Sequence, residues 1–319
     1  MYAYLISGDN KKLSVLEVLS LSNENKFILD KRLILISKQL DFDRLSYIKK
    51  AYKVIGIFDY KNKLENQIKK INLNIFYKKN FSVRRIVLTK KEVPLEKELS
   101  GFIWRNLKKP RVNLENPKSR FEFVYTDKKK YLLLVLFERD IKKMFFRWPQ
   151  NRPRFHPTTM TPQFALLLVN LSKAKKGDVL MDPFCGVGGI LIEAGLVGCK
   201  IIGYDKDKKM IIKARENMDY FKIKNYVVEQ KDALSVERKV DFIVTDVPYG
   251  RHSKLFGKKT KNLASLFLER AYNILNKKGR IVLVCPNNAK ITFGKLKLAD
   301  YVDFYIHSTL TRRIYVLEK

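Results

Sequence analysis

The sequence predicts an α/β fold in which a doubly wound, mostly parallel sheet occupies residues 158–319. Short apolar runs alternate there with helix-like segments, which is the pattern of a parallel sheet covered by helices. A glycine-rich loop at 182–189 joins the first of these runs to a helix, as in folds that bring a ligand against the backbone. The last two runs, at 301–306 and 313–317, are predicted to form an antiparallel hairpin that closes the sheet.

Residues 1–145 are predicted to form an α+β region, because short apolar runs alternate with amphipathic segments. Strands are predicted at 2–6, 33–37, 54–60, 81–88, 120–125 and 131–137, and helices at 13–21, 45–51 and 64–71. A further helix is predicted from apolar residues that share one face, namely Leu95, Leu99, Phe102, Ile103 and Leu107. The last two of these strands are expected to pair as a hairpin.

Residues 146–157 are predicted to link the two regions, and they contain three prolines and three arginines. Proline stiffens a linker, and arginine pairs bidentately with phosphate. We therefore expect a stiff basic segment that limits how far an RNA reaches from one region to the other. A plain linker is the alternative.

The C-terminal region is predicted to begin with a helix at 162–171, because proline is well placed in a first helical turn. The remaining elements follow in strict alternation. Helices are predicted at 189–198, 208–220 and 262–275, and strands at 179–181, 200–204, 226–230, 241–245 and 279–284. A parallel sheet of this kind binds ligands beyond the carboxyl ends of its strands.

The charge of the chain indicates a polyanionic partner. Its 319 residues include 65 Lys and Arg against 32 Asp and Glu, which gives a net charge of +33. Such an excess stores self-repulsion that a polyanion relieves. Nucleic acid is the first candidate and an anionic membrane the second, whereas a proteome rich in lysine is the alternative without a partner.

The cysteine and histidine residues indicate neither a disulfide framework nor a metal site. The three cysteines, Cys185, Cys199 and Cys285, form no C-x-x-C pair, and the three histidines lack metal-ligand spacing. The N-terminus does not have the pattern of a signal peptide, and no uncharged apolar run approaches about 18 residues. We expect a cytoplasmic protein that has neither a metal nor a membrane partner.

The glycine-rich loop is predicted to bind a cofactor other than a dinucleotide. It lacks the full G-x-G-x-x-G spacing, and Asp182 at the strand tip would repel a pyrophosphate. A ligand with positive charges and a ribose suits it better, as S-adenosylmethionine does with its ammonium and sulfonium groups. We assign Asp182, Phe184, Gly186 and Gly188 to this ligand. A glycine turn in some other α/β domain is the alternative.

Three further aspartates follow successive strands of the predicted sheet, and together with Asp182 they are expected to meet in one cleft. Asp205 comes 19 residues after Gly186, near the spacing of an acceptor for ribose hydroxyls. Asp232, followed by Ala233, is assigned to the adenine amino group. Either aspartate could instead cap a helix.

The third of these aspartates begins the segment D-V-P-Y at 246–249. The lone pair of an exocyclic base amine is delocalised into the ring, so an enzyme that methylates it must hold its N–H groups with acceptors. Asp246 and the carbonyl of Val247 or Pro248 would supply these acceptors, and Pro248 would keep the backbone in shape. Tyr249 would stack on the extruded base. A strand-ending turn is the alternative.

These motifs resemble those of the THUMP-containing tRNA guanine-N2 methyltransferases, among them the archaeal enzymes that act on guanine 10. The matching motifs are F-H-P at 155–157, D-P-F-C-G-V-G-G at 182–189, D-V-P-Y-G at 246–250 and S-T-L-T-R at 308–312. Residues at about 79–145 resemble the THUMP RNA-binding module. They do so through F-S-V-R-R at 81–85, the helix containing Gly101, V-N-L-E-N-P at 112–117, and the hairpin before Arg147.

The resemblance implies a Rossmann-fold, S-adenosylmethionine-dependent methyltransferase that acts on the N2 amine of a guanine in tRNA, with guanine 10 as the first choice. It implies that Asp246 binds the base amine, Tyr249 contacts the base, and Asp205 and Asp232 bind the cofactor. The family usually has D-P-P-Y, so Val247 replaces a proline and brings more conformational freedom and an extra N–H.

Several alternatives stay open at this point. The target could be another guanine of tRNA or rRNA, or the N6 amine of an adenine, and a tRNA-binding protein without activity is the alternative from another class. It is equally open whether one or two methyl groups are added, whether the protein is a monomer, and whether it needs an activating subunit. Residues 251–261 follow the D-V-P-Y segment and form either a lid over the base or a solvated basic loop.

Overall fold

Two seven-stranded sheets organise the computed structural model, one in each of two units, Met1–Arg139 and Asp140–Lys319. The structure describes residues 1–8, 10–248, 260–307 and 310–319. None of its described helices is long and apolar enough to span a membrane.

The sheet of the N-terminal unit is almost entirely antiparallel. Its elements are β1 (Tyr2–Ile6), α1 (Lys11–Ser22), β2 (Ile28–Asp30), β3 (Leu33–Ile36), β4 (Ile48–Phe58), α2 (Leu64–Ile68), β5 (Phe81–Val87), α3 (Glu96–Trp104), β6 (Ser119–Tyr125) and β7 (Lys130–Glu138). The strands lie in the order β2-β3-β1-β4-β7-β6-β5, and only β5 and β6 pair in parallel among them. The hairpin of β6 and β7 confirms the prediction for that segment.

The predicted helix at 45–51 is wrong, because β4 begins at Ile48. The carboxylate of Glu17 accepts the backbone N–H of Ser46 at 2.7 Å and that of Tyr47 at 2.8 Å. These bonds hold the chain in a bend at Ser46 and Tyr47 that leads directly into β4, and the next residues pair with β1. A buried side chain distant in sequence thus overrides the helical spacing of the local apolar residues.

The C-terminal unit contains the doubly wound sheet that the sequence predicts. Its elements are α4 (Pro162–Ser172), β8 (Val179–Asp182), α5 (Gly189–Val197), β9 (Lys200–Asp205), α6 (Lys208–Tyr220), β10 (Tyr226–Gln230), β11 (Val240–Asp246), α7 (Thr260–Ile274), β12 (Leu275–Pro286), β13 (Lys297–His307) and β14 (Leu310–Glu318). The order is β10-β9-β8-β11-β12-β14-β13, parallel from β10 to β12 and then antiparallel. The Rossmann-like architecture and the closing hairpin are confirmed.

A continuous apolar core holds the parallel strands against α7. Phe267, Leu268 and Ala271 of that helix are buried together with Ile243 of β11 and Ile281 of β12. At the start of the unit's first α-helix, α4, Pro162 occupies the first turn. The Thr161 hydroxyl accepts the N–H of Phe164 at 3.3 Å. This cap fixes the entry of the chain into the sheet domain.

The segment 146–157 folds with the C-terminal unit and is anchored to its helices. Arg147 Nε lies 3.0 Å from Oε1 of Glu193, a residue of α5 that is 1% exposed. Arg152 is 5% exposed, and Asn217 of α6 donates to the carbonyl of Arg154 at 3.0 Å. Two of the three arginines of this segment thus have contacts within the unit, since Arg147 pairs with Glu193 and Arg152 is buried close to that carboxylate.

Candidate active site at the carboxyl ends of the parallel strands

Four aspartates meet at one edge of the parallel sheet. Asp205, Asp182 and Asp246 are the last residues of β9, β8 and β11, and Asp232 follows β10. Because β10, β9, β8 and β11 are consecutive neighbours, their carboxyl ends share this edge. Burial raises the pKa of Asp182, Asp205 and Asp246, and the charges of the other two add to the shift at Asp182. The edge is therefore suited to a ligand that carries positive charge and hydroxyl groups.

The glycine loop combines a packed position with an open one. Gly188 has φ of +86°, and a Cβ there would lie 2.8 Å from Cε of Met218. Gly186 also has a left-handed φ, +52°, but a Cβ built on it meets no described atom within 4 Å. The left-handed φ disfavours a side chain at both positions. A Cβ at Gly188 would in addition displace the end of the Met218 side chain on α6, whereas Gly186 borders space that a ligand could enter.

Asp205 ties this loop to the neighbouring strand. Its Oδ2 accepts the N–H of Gly186 at 3.0 Å, and its Oδ1 accepts the N–H of Asp207 at 2.9 Å. Burial raises the pKa of Asp205, and the two backbone donors oppose that shift. Each carboxylate oxygen retains a further lone pair, so Asp205 can still accept from the hydroxyls of a ribose.

Asp182 is the most deeply buried of the four, with 2% of its surface exposed. Its Oδ1 accepts from the Thr245 hydroxyl at 2.7 Å and from the N–H of Phe184 at 3.1 Å. Burial raises the pKa of Asp182 to about 7, despite these donors. A cationic ligand beside it would favour the ionised form. The Phe184 ring packs edge-on against Phe267, with ring centroids 5.6 Å apart.

Asp232 caps a short 3-10 turn, as the alternative interpretation of the sequence held. Its Oδ1 accepts the N–H of Leu234 at 3.0 Å, and Lys206 Nζ lies 2.9 Å from its Oδ2. Burial alone would raise the pKa of Asp232, but Leu234 and Lys206 outweigh it and the pKa is lowered. The side chain remains 40% exposed, while Ala233 is buried in the core.

Asp246 lies at the end of β11 in an ion pair that the sequence did not reveal. Arg312 Nη1 of β14 is 2.9 Å from its Oδ2, and both side chains are largely buried. Oδ1 of Asp246 is buried and has no hydrogen-bond partner within the described part of the chain. Burial raises the pKa of Asp246 to about 6, and Arg312 acts in the opposite direction.

The backbone after Asp246 is fixed by the adjacent strand. The N–H of Val247 donates to the carbonyl of Val284 at 3.0 Å, and the Val247 side chain is buried. The extra N–H that Val247 brings is therefore used, and the sheet supplies rigidity that a proline ring would otherwise give. Pro248 is half-buried beside it. Tyr249 and residues 251–259 of the predicted lid lie outside the described residues.

Sequence reasoning missed two partners of the aspartates, Thr245 and Arg312. Arg312 was part of a family motif but had no assigned role, because only the strand order β11-β12-β14 brings it to Asp246. Thr245 precedes Asp246 in β11 and reaches Asp182 across the parallel pairing of β11 with β8. Over the described ranges, no cluster of three or more His, Cys, Asp or Glu residues could hold a metal ion.

Comparison with protein families places a methyltransferase domain over this site. Residues 149–294 match the UPF0020 family, described as an RMKL-like methyltransferase domain. A second family, described as DNA methylase, matches residues 3–216, a span that includes the glycine loop and ends before Asp246. Only the first match contains both the loop and the D-V-P-Y segment.

Curated relatives match over most of their own length. The tRNA (guanine(10)-N2)-dimethyltransferase of Methanothermobacter thermautotrophicus is 33% identical over 285 aligned residues, covering 86% of this chain and 84% of that protein. The protein of the same name from Methanocaldococcus jannaschii is 30% identical, and the alignment covers 100% of this chain and 100% of that protein. The one from Pyrococcus abyssi is 30% identical, with coverage of 87% and 85%.

Solved structures share the fold across the whole chain. TrmN from Thermus thermophilus superposes with a TM-score of 0.57 at 19% identity, covering 100% of this chain and 99% of the other. A protein described as a methyltransferase, SMU.472, was crystallised with SAH and has a TM-score of 0.53 at 14% identity, with coverage of 99% and 97%. At these identities the likeness establishes the fold.

Proposed function

Since the chain belongs to the tRNA (guanine(10)-N2)-dimethyltransferase family, we propose that it methylates the exocyclic N2 amine of guanine 10 in tRNA, adding up to two methyl groups. The observation that carries the proposal is the buried acceptor Oδ1 of Asp246, which is left without a described partner at the end of β11. A buried acceptor of this kind is costly unless a ligand donor satisfies it. The N–H of a base amine would be that donor.

The residues at the sheet edge fit S-adenosylmethionine as the methyl donor. Asp182 would face its positive charge, Asp205 its ribose hydroxyls, and the open side of Gly186 would let it approach the loop. Phe184, Gly188, Asp232 and Ala233 complete the set that we assign to it. When bound, it supplies a methyl group activated by a sulfonium. Asp232 would have to exchange its ion pair with Lys206, or share it, to reach an adenine amine.

The chain's own part in the reaction is to present the target nitrogen as a nucleophile. Asp246 and the carbonyl of Val247 or Pro248 accept its N–H groups, so that its lone pair is drawn out of conjugation with the ring. S-adenosylmethionine would supply the methyl carbon to N2 with its sulfur as the leaving group, and Asp246 would accept the proton that the amine releases. Holding these groups in line supplies much of the acceleration.

The same arrangement serves a second transfer. Once N2 carries one methyl group, it retains the N–H that the backbone carbonyl accepted. After Asp246 has released its proton to solvent, rotation about the C2–N2 bond would bring this N–H to Asp246. The new methyl group then faces the side where the backbone carbonyl previously accepted. This allows two methyl groups without a second set of catalytic residues, in keeping with the names of the curated relatives.

We assign tRNA as the partner and residues 1–145 as the region that binds it, with a THUMP domain at about 79–145. We assign methyl transfer to residues 158–319, against which the segment 146–157 is anchored. The net charge of +33 supports a polyanionic substrate. Tyr249 is proposed to stack on the extruded guanine. A protein that modifies tRNA is expected in the cytoplasm.

The test uses a tRNA transcript, purified protein and S-adenosylmethionine with an isotopically labelled methyl group. Nuclease digestion and mass spectrometry would locate the label, which we expect on N2 of guanine 10. The matched control is the same tRNA with inosine at position 10, because inosine keeps the ring and lacks the N2 amine. Labelling that persists on the inosine tRNA, or that falls on adenine N6, would reject the assigned target. Failure to bind S-adenosylmethionine in equilibrium dialysis would favour an inactive tRNA-binding protein.

A further inference from the structure

Arg312 reaches Asp246 across an intervening strand. Asp246 pairs with Val284 of β12, and Arg312 pairs with Pro286 farther along the same strand. Since neighbouring strands lie about 4.8 Å apart, β11 and β14 are separated by roughly 10 Å at this edge. The extended guanidinium side chain of Arg312 covers that distance, and its Nη1 ends 2.9 Å from Oδ2 of Asp246.

The pair is shielded from solvent on both sides. The side chain of Arg312 is 14% exposed and that of Asp246 is 19% exposed. At such depth an ion pair is weakly screened, and removing one member leaves a buried charge uncompensated. The planar guanidinium also fixes the orientation of its partner better than the single charge of a lysine does.

The contact divides the two oxygens of the carboxylate between two roles. Oδ2 is occupied by Arg312, whereas Oδ1 has no partner in the described residues. A carboxylate that could rotate freely would present either oxygen to a ligand. The ion pair instead leaves Oδ1 as the acceptor that faces away from Arg312.

We propose that Arg312 is the positioning residue of Asp246, which keeps its carboxylate ionised and turns Oδ1 toward the N–H of the target amine. The inference rests on the proposed function, because it assigns Arg312 a part in that reaction. It does not require Arg312 to touch the base, the cofactor or the transferred methyl group.

The charged surroundings of Asp246 make Arg312 decisive for its ionisation. Asp182 on β8 and Cys285 on β12 are the neighbouring titratable groups, and the charge of Asp246 contributes to raising the pKa of each. Burial raises the pKa of Asp246 to about 6 even with Arg312 present. Without the guanidinium, the pKa would rise further and a protonated carboxyl group would dominate near neutral pH, where it is a poorer acceptor.

The experiment measures single-turnover methyl transfer to tRNA between pH 5 and pH 9 for the wild type, Arg312→Met and Arg312→Lys. Arg313→Met is the matched control, because Arg313 neighbours Arg312 in β14 but pairs with Asp303, 2.6 Å away. We expect Arg312→Met to move the acidic limb of the rate profile upward by about one pH unit or more, which is a tenfold loss or more below that limb. Arg312→Lys should bring the acidic limb most of the way back to its wild-type position, and Arg313→Met should leave the limb in place.

A second readout separates positioning from folding. Equilibrium dialysis should give S-adenosylmethionine dissociation constants within about twofold of the wild type for both Arg312 variants, because the cofactor residues lie on other strands. If Arg312→Met lowers the rate equally at every pH, if its limb stays where it is in the wild type, or if Arg312→Lys is displaced as far as Arg312→Met, the inference is overturned while the proposed function stands. Absence of guanine methylation by the wild type would overturn both, and the wild-type reaction alone reveals that case.

Discussion

The backbone N–H of Gly186 donates to Oδ2 of Asp205 at 3.0 Å, which joins the glycine loop after β8 to the tip of β9. The carboxylate thereby fixes the loop against which a cofactor would bind, in addition to any bond that it makes to the cofactor itself. Two strands must be in register for this contact to form, since Gly203 of β9 pairs with Asp182 of β8.

Replacing Asp205 should weaken S-adenosylmethionine binding, and alanine should weaken it more than asparagine does. Asp205→Ala removes the acceptor for Gly186 and the acceptor for ribose, and we expect affinity to fall by about tenfold to a hundredfold, from the loss of one or two charged hydrogen bonds. Asp205→Asn keeps a carbonyl oxygen that can still accept from Gly186, so its loss should be smaller. Isothermal titration calorimetry with S-adenosylhomocysteine would measure both. Equal losses for the two variants would contradict the double role of Asp205.

Replacing Asp246 should abolish methyl transfer while sparing RNA affinity. Asp246→Ala removes the acceptor for the amine, and we expect the single-turnover rate to fall by more than about a hundredfold, as when an aligned acceptor or donor is removed from an active site. The tRNA dissociation constant, measured by filter binding, should change by less than about twofold. A variant that retains full turnover would refute the role given to Asp246.

The rate of the wild type should fall as the pH drops through about 6. Burial raises the pKa of Asp246 to about this value, so the acceptor is ionised above it and protonated below it. A pH profile of single-turnover methyl transfer, with tRNA and S-adenosylmethionine saturating, would show an acidic limb near that pH. A flat profile from pH 5 to pH 8 would exclude ionised Asp246 as the acceptor.

The stability of the ligand-free protein should reveal the burial of Asp182. Its pKa is raised from 3.8 to about 7, so the folded state binds a proton more tightly than the unfolded state does. This contribution to stability is fully present below about pH 4 and is lost as the pH rises toward 7, amounting to a few kcal/mol at most. Asp182→Asn keeps an acceptor for Thr245 and removes the titration, so its unfolding free energy should fall less between pH 5 and pH 8 than that of the wild type. Urea denaturation at the two pH values measures the unfolding free energy of each protein. An equal change between pH 5 and pH 8 in the variant and the wild type would contradict the assignment.

The two loop glycines should respond differently to alanine. Gly188→Ala brings a methyl group to 2.8 Å from Met218 at a left-handed φ, and we expect a loss of about 1–2 kcal/mol or more in unfolding free energy. Gly186→Ala meets no described atom within 4 Å, so its stability cost should be the smaller one, while its methyl group intrudes on the cofactor. Thermal unfolding and S-adenosylhomocysteine titration of both variants would test this. Unchanged cofactor affinity in Gly186→Ala would place the ligand elsewhere.

The sheet and its aspartates were predictable because they depend on local signals. Alternating apolar runs fix the strands, and an aspartate that follows a strand in sequence lies at the edge of a parallel sheet in space. Asp182, Asp205 and Asp246 therefore fell where the pattern indicated. The direction in which each carboxylate bonds was not predictable, and Asp232 proved to be capping a turn and paired with Lys206.

Contacts between residues distant in sequence explain the errors. The segment at 45–51 has helical spacing, but the buried carboxylate of Glu17 holds its first residues in a bend that leads into β4. Arg147 and Arg152 resemble phosphate ligands in a proline-rich linker. In the structure, Arg147 forms an ion pair with the buried Glu193, and the charge of Arg152 also acts on that carboxylate. Arg312 meets Asp246 only because β14 returns antiparallel beside β12. None of these partners could be chosen before the strand order was known.

The anchoring of Arg147 to Glu193 determines where the chain can be divided. A fragment that starts at residue 158 would contain every strand of the parallel sheet, yet it would leave a carboxylate in its interior with neither of the cations that accompany it. A fragment that starts at Asp140 keeps both cations. Work on an isolated catalytic half should therefore begin at Asp140, even though sequence motifs alone would suggest trimming the segment before residue 158.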